Sequence, residues 1–163
     1  MVIWLMGVSG SGKTTLGERM KGCFDSMGTK SYIIDGDLVR TFYDNDLGYG
    51  KEDRVSNIKR IMFSCYVLES NGIIPIVCNI SPYQNLRNFA KEKFKNYEEI
   101  YLKRDMTDIK NKNHVYQGSN VVGVDLEFEV PKSPSLIVNT SELSIEESFQ
   151  KIIKYIESKI NEH

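Results

Sequence analysis

Short apolar runs alternate along this chain with longer segments of helical periodicity, a rhythm that predicts a parallel sheet with helices on both faces. Residues 2–6 (VIWLM) are an unbroken apolar run, as a strand buried on both faces requires. Residues 32–34, 73–78, 100–102 and 136–138 read the same way, each bounded by turn or polar residues. Residues 13–27 and 53–70 are long enough for helices, and Asn71-Gly72 closes the second with a left-handed cap signal. A further helix is expected after residue 82, with Pro82 at its first position and Ser81 as its N-cap. Near the end, Ile145, Phe149, Ile152, Ile153, Ile156 and Ile160 recur at helical spacing behind a capping box of Ser144 and Glu147, and this stripe is expected in the core. Residues 41–51 (TFYDNDLGYGK) and 111–134 lack periodicity, and long loops in a compact domain are functional lids or disordered segments.

Composition narrows the class. A length of 163 residues suits a single domain, here residues 1–163 with a lid or substrate loop at about 105–134. With 21 Lys and Arg against 22 Asp and Glu, the net charge of −1 argues against a protein that coats nucleic acid. No apolar run reaches the roughly 18 residues of a membrane span, and the start MVIWLMG lacks a basic leader, so a cytoplasmic location is expected. Three cysteines, Cys23, Cys65 and Cys78, have no CxxC spacing and fit reduced thiols, while two histidines, His114 and His163, exclude a multi-histidine metal site.

The chemistry starts at Gly7-Val8-Ser9-Gly10-Ser11-Gly12-Lys13-Thr14, which satisfies G-x-x-x-x-G-K-[ST] between the first strand and the first helix. Such glycines let successive N–H groups turn inward on an anion, and the helix N-terminus adds positive potential. In this motif Lys13 reaches the β- and γ-phosphates and the Thr14 hydroxyl ligates Mg²⁺, with Thr15 next to it; the chain is expected to bind ATP. After the second strand, Asp35 and Asp37 should emerge in the same crevice, where a carboxylate can take the proton of an attacking hydroxyl or hold a metal-bound water. The bland alternative is an Asx turn with Asp37 as an N-cap. Arg40 can clamp an anion, and Arg54 and Asn57 share one helix face. Asn79, Ile80 and Ser81 follow the third strand, with Arg87 one turn into the next helix.

In order, GVSGSGKTT, IDGDLVR, DLGYGKEDRVSNIKR, NISPYQNLR and VGVDLEFEVP resemble the adenylylsulfate kinase family over roughly residues 2–138. The resemblance implies a single-domain α/β P-loop NTPase fold with a mostly parallel five-stranded sheet, helices on both faces and a lid. It implies a kinase that moves the γ-phosphate of ATP, with Mg²⁺, to the ribose 3′-hydroxyl of a nucleoside 5′-mixed anhydride. By the same resemblance Asp35 is the base or metal-water holder, alongside Lys13 and Asp37 as catalytic candidates. Arg40, Arg54, Asn57, Asn79, Ile80 and Ser81 line the acceptor site, Tyr49 stacks on the acceptor base, and Arg87 supports the pocket. A small nucleotide partner is implied, and family members often pair, so a homodimer is expected by analogy. Departures from the family pattern are Val121 for its second stacking aromatic, Asn79 for an apolar residue, and a lid reduced to Tyr116 and Lys112 of its signature. These favour a smaller, more polar acceptor such as cytidine diphosphoramidate, used by a relative in capsule modification. The alternatives are adenylylsulfate in sulfate assimilation and a P-loop module that binds nucleotide without transfer.

Overall fold

The computed structural model describes residues 1–105, 107, 122 and 126–161. Its five strands are β1 (Val2–Met6), β2 (Ser31–Asp35), β3 (Ile74–Cys78), β4 (Tyr97–Lys103) and β5 (Leu136–Asn139). They form one sheet of order β2–β3–β1–β4–β5, and every pairing is parallel. β1 lies in the middle, and none of its five side chains is more than 1% exposed. That explains its unbroken apolar run: Val2, Trp4 and Met6 enter one core and Ile3 and Leu5 the other. Each such burial contributes roughly 1.5–3 kcal/mol.

The helices divide between these two cores. α1 (Lys13–Ser26) packs Leu16, Met20 and Phe24 on the Ile3 side, with Ile152, Ile153 and Ile156 of α5 (Ile145–Asn161). On the Trp4 side lie Ile58, Ile61, Met62 and Cys65 of α3 (Lys51–Ser70) and Leu86 and Ala90 of α4 (Gln84–Lys93). The capping box of α5 forms as expected: the Glu147 N–H donates to Ser144 Oγ at 3.2 Å and the Ser144 N–H to Glu147 Oε2 at 2.9 Å. α3 ends at Gly72, whose φ of 71° is the left-handed turn anticipated there, and the Ile73 N–H returns to Leu68 O. Within residues 41–51, Asp44 and Asn45 both have φ of 54°.

Four departures from the sequence expectations have physical causes. β4 is longer than residues 100–102 because Glu98 and Glu99 hide its pattern; Glu99 is fully buried, 3.4 Å from Lys91 and 3.9 Å from Arg87. A seven-residue helix, α2 (Gly36–Phe42), starts directly after β2, and its N-cap is Asp35 rather than Asp37. At α4 the N-cap is Tyr83, with no side-chain cap of its own, and the Gln84 N–H instead donates to Glu129 Oε2 at 2.6 Å. Ser81 is therefore no helix cap: it is 3% exposed with φ of 50°, and its Oγ accepts from the Trp4 indole at 2.7 Å. Finally, Ile145 begins the α5 stripe but is 55% exposed, beyond the reach of the core.

Candidate active site

A crevice of about 760 Å³ opens beside the C-terminal ends of β1, β2 and β3, where parallel α/β sheets place their ligands. Its first wall is the loop from β1 into α1, with Ser9, Gly10, Ser11, Gly12, Lys13, Thr14 and Thr15 all lining it. Gly10 and Gly12 have φ of 77° and 96°, and Gly12 caps α1 without a side-chain hydrogen bond, so the first-turn N–H groups are left for a ligand. Gly7 lies beneath this wall, where a Cβ would stand 2.5 Å from Leu102 O and 2.8 Å from Ser11 Oγ. The Lys13 ammonium folds back onto the loop, donating to Val8 O at 2.8 Å and Gly7 O at 3.0 Å. Burial pushes it down to about 8, against the opposing influence of Cys78, Asp35 and Asp37.

Asp35 joins this wall to the second. Its Oδ1 accepts from the Asp37 N–H at 2.8 Å and the Leu38 N–H at 3.4 Å, which caps α2, while Oδ2 accepts from the Thr14 hydroxyl at 3.3 Å. The cap that the sequence reading gave to Asp37 is thus made by Asp35, and the same carboxylate also stands beside the anion loop. Thr14 and Asp35 are hard oxygen donors side by side, a pair that suits Mg²⁺. Among the described residues no group of three or more His, Cys, Asp or Glu could hold a metal, so an ion here would draw its other ligands from phosphate and water.

The second wall is cationic and aromatic. The Arg40 and Arg54 guanidiniums lie over the Tyr49 ring, 4.4 Å and 5.5 Å from its centroid. Arg40, 5% exposed, donates to Leu47 O and Gly48 O, and Arg54 Nε to Tyr49 O at 2.9 Å, so both brace the 41–51 loop. Burial first, and the charge of Arg40 second, hold the Arg54 guanidinium below its ordinary value, with Tyr83, Tyr49 and Asp37 acting the other way. Asn57 is 2% exposed; its Nδ2 donates to Gly36 O at 3.1 Å, and its Oδ1 has no partner. Asn79, Ile80 and Ser81 complete this side. The Asn79 amide donates to Ser81 Oγ at 3.2 Å and its oxygen packs against Gly36, where a Cβ would stand 2.5 Å away.

Arg87, expected to support the pocket, does not itself line the crevice: it is 2% exposed behind it and donates to Ser81 O and Glu129 O. Val121, Tyr116 and Lys112 lie outside the described residues, although Val122, buried at 2%, does line the crevice. The sequence reading missed the wall formed by Arg104, Thr140, Leu143, Ile145 and Ser148. Arg104 and Thr140 follow the C-terminal ends of β4 and β5, and that position was the available signal.

The adenylylsulphate kinase family profile matches residues 1–139. The chain belongs to the adenylylsulfate kinase family. It is 35% identical to the adenylyl-sulfate kinase of Staphylococcus carnosus over 169 residues, covering 98% of this chain and 85% of that one. To the Oceanobacillus iheyensis adenylyl-sulfate kinase it is 36% identical, covering 97% and 84%. Among solved structures, the Mycobacterium tuberculosis APS kinase in complex with AMPPNP and APS superposes with a TM-score of 0.86 at 26% identity, covering 96% of each chain. An Aquifex aeolicus shikimate kinase, at 16% identity and a TM-score of 0.59 over 98% of both chains, shares the fold alone. The fold is thus that of the P-loop kinases, and the chain is a kinase that transfers phosphate to a hydroxyl, with the family's ATP and Mg²⁺. No helix among the described residues is long and apolar enough to cross a membrane.

Proposed function

We propose that this protein is an adenylylsulfate kinase, which transfers the γ-phosphoryl group of ATP to the ribose 3′-hydroxyl of adenylylsulfate. The observation that carries this reading is Asp35, whose Oδ2 touches Thr14 of the anion loop while its Oδ1 caps the helix that bears Arg40. The carboxylate therefore belongs to both walls of the crevice, where a donor phosphate and an acceptor hydroxyl have to meet.

In this reading the amides of residues 9–14 and Lys13 hold the donor phosphates, with Gly7 as the tight turn below them. Thr14, and Asp35 through water, hold Mg²⁺, which when bound supplies charge neutralisation on the phosphates. Asp35 orients the 3′-hydroxyl and takes its proton as the new O–P bond forms and ADP leaves with the electrons of the old one. Asp37 adds negative charge at the same corner. Arg40 and Arg54 answer the anionic end of the acceptor, Asn57 Oδ1 accepts from one of its donors, and residues 79–81 line its far side. Tyr49 offers its ring to the base, an interaction worth about 1–3 kcal/mol in single-strand complexes. Arg104, Thr140, Leu143 and Ile145 enclose the ATP base.

Adenylylsulfate is preferred over the cytidine diphosphoramidate expected from sequence because the relatives reported above are adenylyl-sulfate kinases. The Asn79 Nδ2 also donates to Ser81 Oγ, so that donor is engaged within the wall rather than offered to a more polar base. Steady-state assays with ATP, Mg²⁺ and each acceptor separate the two: adenylylsulfate is expected to turn over at micromolar concentration, and selective turnover of the cytidine compound overturns the assignment. We place this reaction in the cytoplasm, in sulfate assimilation, and propose a homodimer; a Thiobacillus denitrificans relative is described as a hexameric APS kinase, although the alignment spans only 29% of that longer chain.

A proton-linkage prediction follows from Lys13. Burial holds the empty site's ammonium at about 8, and a bound triphosphate favours its charged form, raising that value. ATP affinity is then flat below about pH 8 and falls as pH rises through 8, by up to about tenfold per unit until the value in the complex is reached. Kd measured from about pH 7 to 9.5 checks this, and a flat profile takes Lys13 off the phosphates.

A further inference from the structure

Arg87, at 2% exposed, is buried like Arg40, but unlike Arg40 it does not line the crevice. It nevertheless ties together three pieces of chain. Its Nη1 donates to Ser81 O at 2.7 Å, and its Nη2 donates to Glu129 O at 2.6 Å and to Gln84 Oε1 at 2.8 Å. Glu129 returns the tie: its N–H donates to Pro82 O at 3.0 Å and its Oε2 caps α4 at the Gln84 N–H. Gln84 Oε1 also accepts from the Lys132 N–H, and Lys91 donates to Ser133 O at 2.8 Å. The turn at residues 79–82 is thus bolted from behind to the segment that enters the sheet as β5.

That turn needs holding. Ser81 has φ of 50°, a conformation disfavoured for a residue with a Cβ, and persists only where its surroundings over-determine it. Three groups do so here: Arg87 on its carbonyl, and the Trp4 indole and the Asn79 amide on its hydroxyl.

We infer that Arg87 is a positioning residue for the acceptor: with Glu129 it fixes the left-handed turn at Ser81, so that Asn79, Ile80 and Ser81 meet the acceptor while the ATP side is untouched. The inference rests on the reading of residues 79–81 as acceptor wall. The guanidinium serves the two carbonyls from separate nitrogens held in one plane, Nη1 to Ser81 O and Nη2 to Glu129 O, whereas an ammonium offers its donors from a single nitrogen with no fixed fork to set the angle between them.

Arg87→Lys keeps a buried cation near Glu99 and removes the fork. The expected result is a KM for adenylylsulfate raised at least about tenfold, with the Kd for ATP within about twofold of the parent. Trp4, the only tryptophan, bonds to Ser81 Oγ, so its emission is expected to shift in Arg87→Lys whatever the acceptor proves to be. Glu99→Gln removes the neighbouring charge without touching the turn and is expected to leave emission and KM as in the parent. The inference is overturned if Arg87→Lys leaves the acceptor KM within about twofold, if the Kd for ATP rises in step with it, or if Glu99→Gln reproduces the effect. Where Arg87→Lys does not fold, Gln84→Ala removes one acceptor of the fork; it is expected to raise the same KM by about threefold, and an unchanged KM overturns the proposal. If the parent itself does not use adenylylsulfate, the substrate assignment fails on its own, and an unchanged Trp4 emission in Arg87→Lys still overturns the positioning role.

Discussion

Asp35→Asn is expected to lower kcat by about 10²–10⁴-fold, the usual contribution of a positioned acid or base, while the Kd for ATP changes by less than about threefold. The substitution separates the two functions of the side chain. Asn is as good an N-cap as Asp, so its remaining oxygen still accepts from the Asp37 and Leu38 N–H groups and α2 stays in place with Arg40. What disappears is the negative charge 3.3 Å from the Thr14 hydroxyl, and with it the proposed proton acceptor and the proposed outer support for Mg²⁺. The anion loop, built from backbone, is not altered. Pre-steady-state and equilibrium measurements on one preparation decide the matter: a kcat within tenfold of the parent, on the scale set by general-base catalysis, takes Asp35 out of the mechanism.

Lys13→Met has the other large effect, and its signature differs. The parent keeps an ammonium where burial has lowered it to about 8, a cost that Cys78, Asp35 and Asp37 offset only in part. Methionine matches much of the side-chain length and carries no charge, so the variant is expected to fold with a Tm near the parent's. Its kcat/KM for ATP should nevertheless fall by about 10³-fold if, as proposed, that ammonium turns to the donor phosphates. Two carbonyl acceptors, Gly7 O and Val8 O, lose the lysine donor, which limits any gain in stability. Calorimetric Tm and initial-rate kinetics test the pair of effects together. A variant that is both inactive and unfolded would mean that Lys13 braces the loop more than it serves the donor.

The sequence carried the parts of this protein that local physics decides. The apolar run of β1 could only be a strand covered on both faces, and the glycine spacing of residues 7–12 could only form a loop whose amides turn inward, with positive φ at Gly7, Gly10 and Gly12. The Ser144–Glu147 capping box and the left-handed turn at Gly72 are equally local, and both formed as read. The phosphate-loop lysine is read from the same local spacing, whereas the Asp35 element and the Arg54–Asn57 face stood out only through the resemblance to the adenylylsulfate kinase family.

Tertiary structure decided whatever depends on partners far along the chain. Ser81 looked like a helix cap because Pro82 follows it; instead Trp4, 77 residues away, takes its hydroxyl, and Glu129, 45 residues beyond Gln84, caps the helix. Glu99 hid the length of β4, because a carboxylate in a strand reads as surface until Arg87 and Lys91 are seen beside it. Ile145 belongs to the same periodic stripe as Ile152 and Ile156, yet is 55% exposed and lines the crevice. Period and spacing specify which face of an element is apolar, and they set backbone geometry over a few residues. Which buried polar groups find each other, and which end of an apolar stripe is left to a ligand, depends on how the elements pack, and that is fixed only when the whole chain is folded.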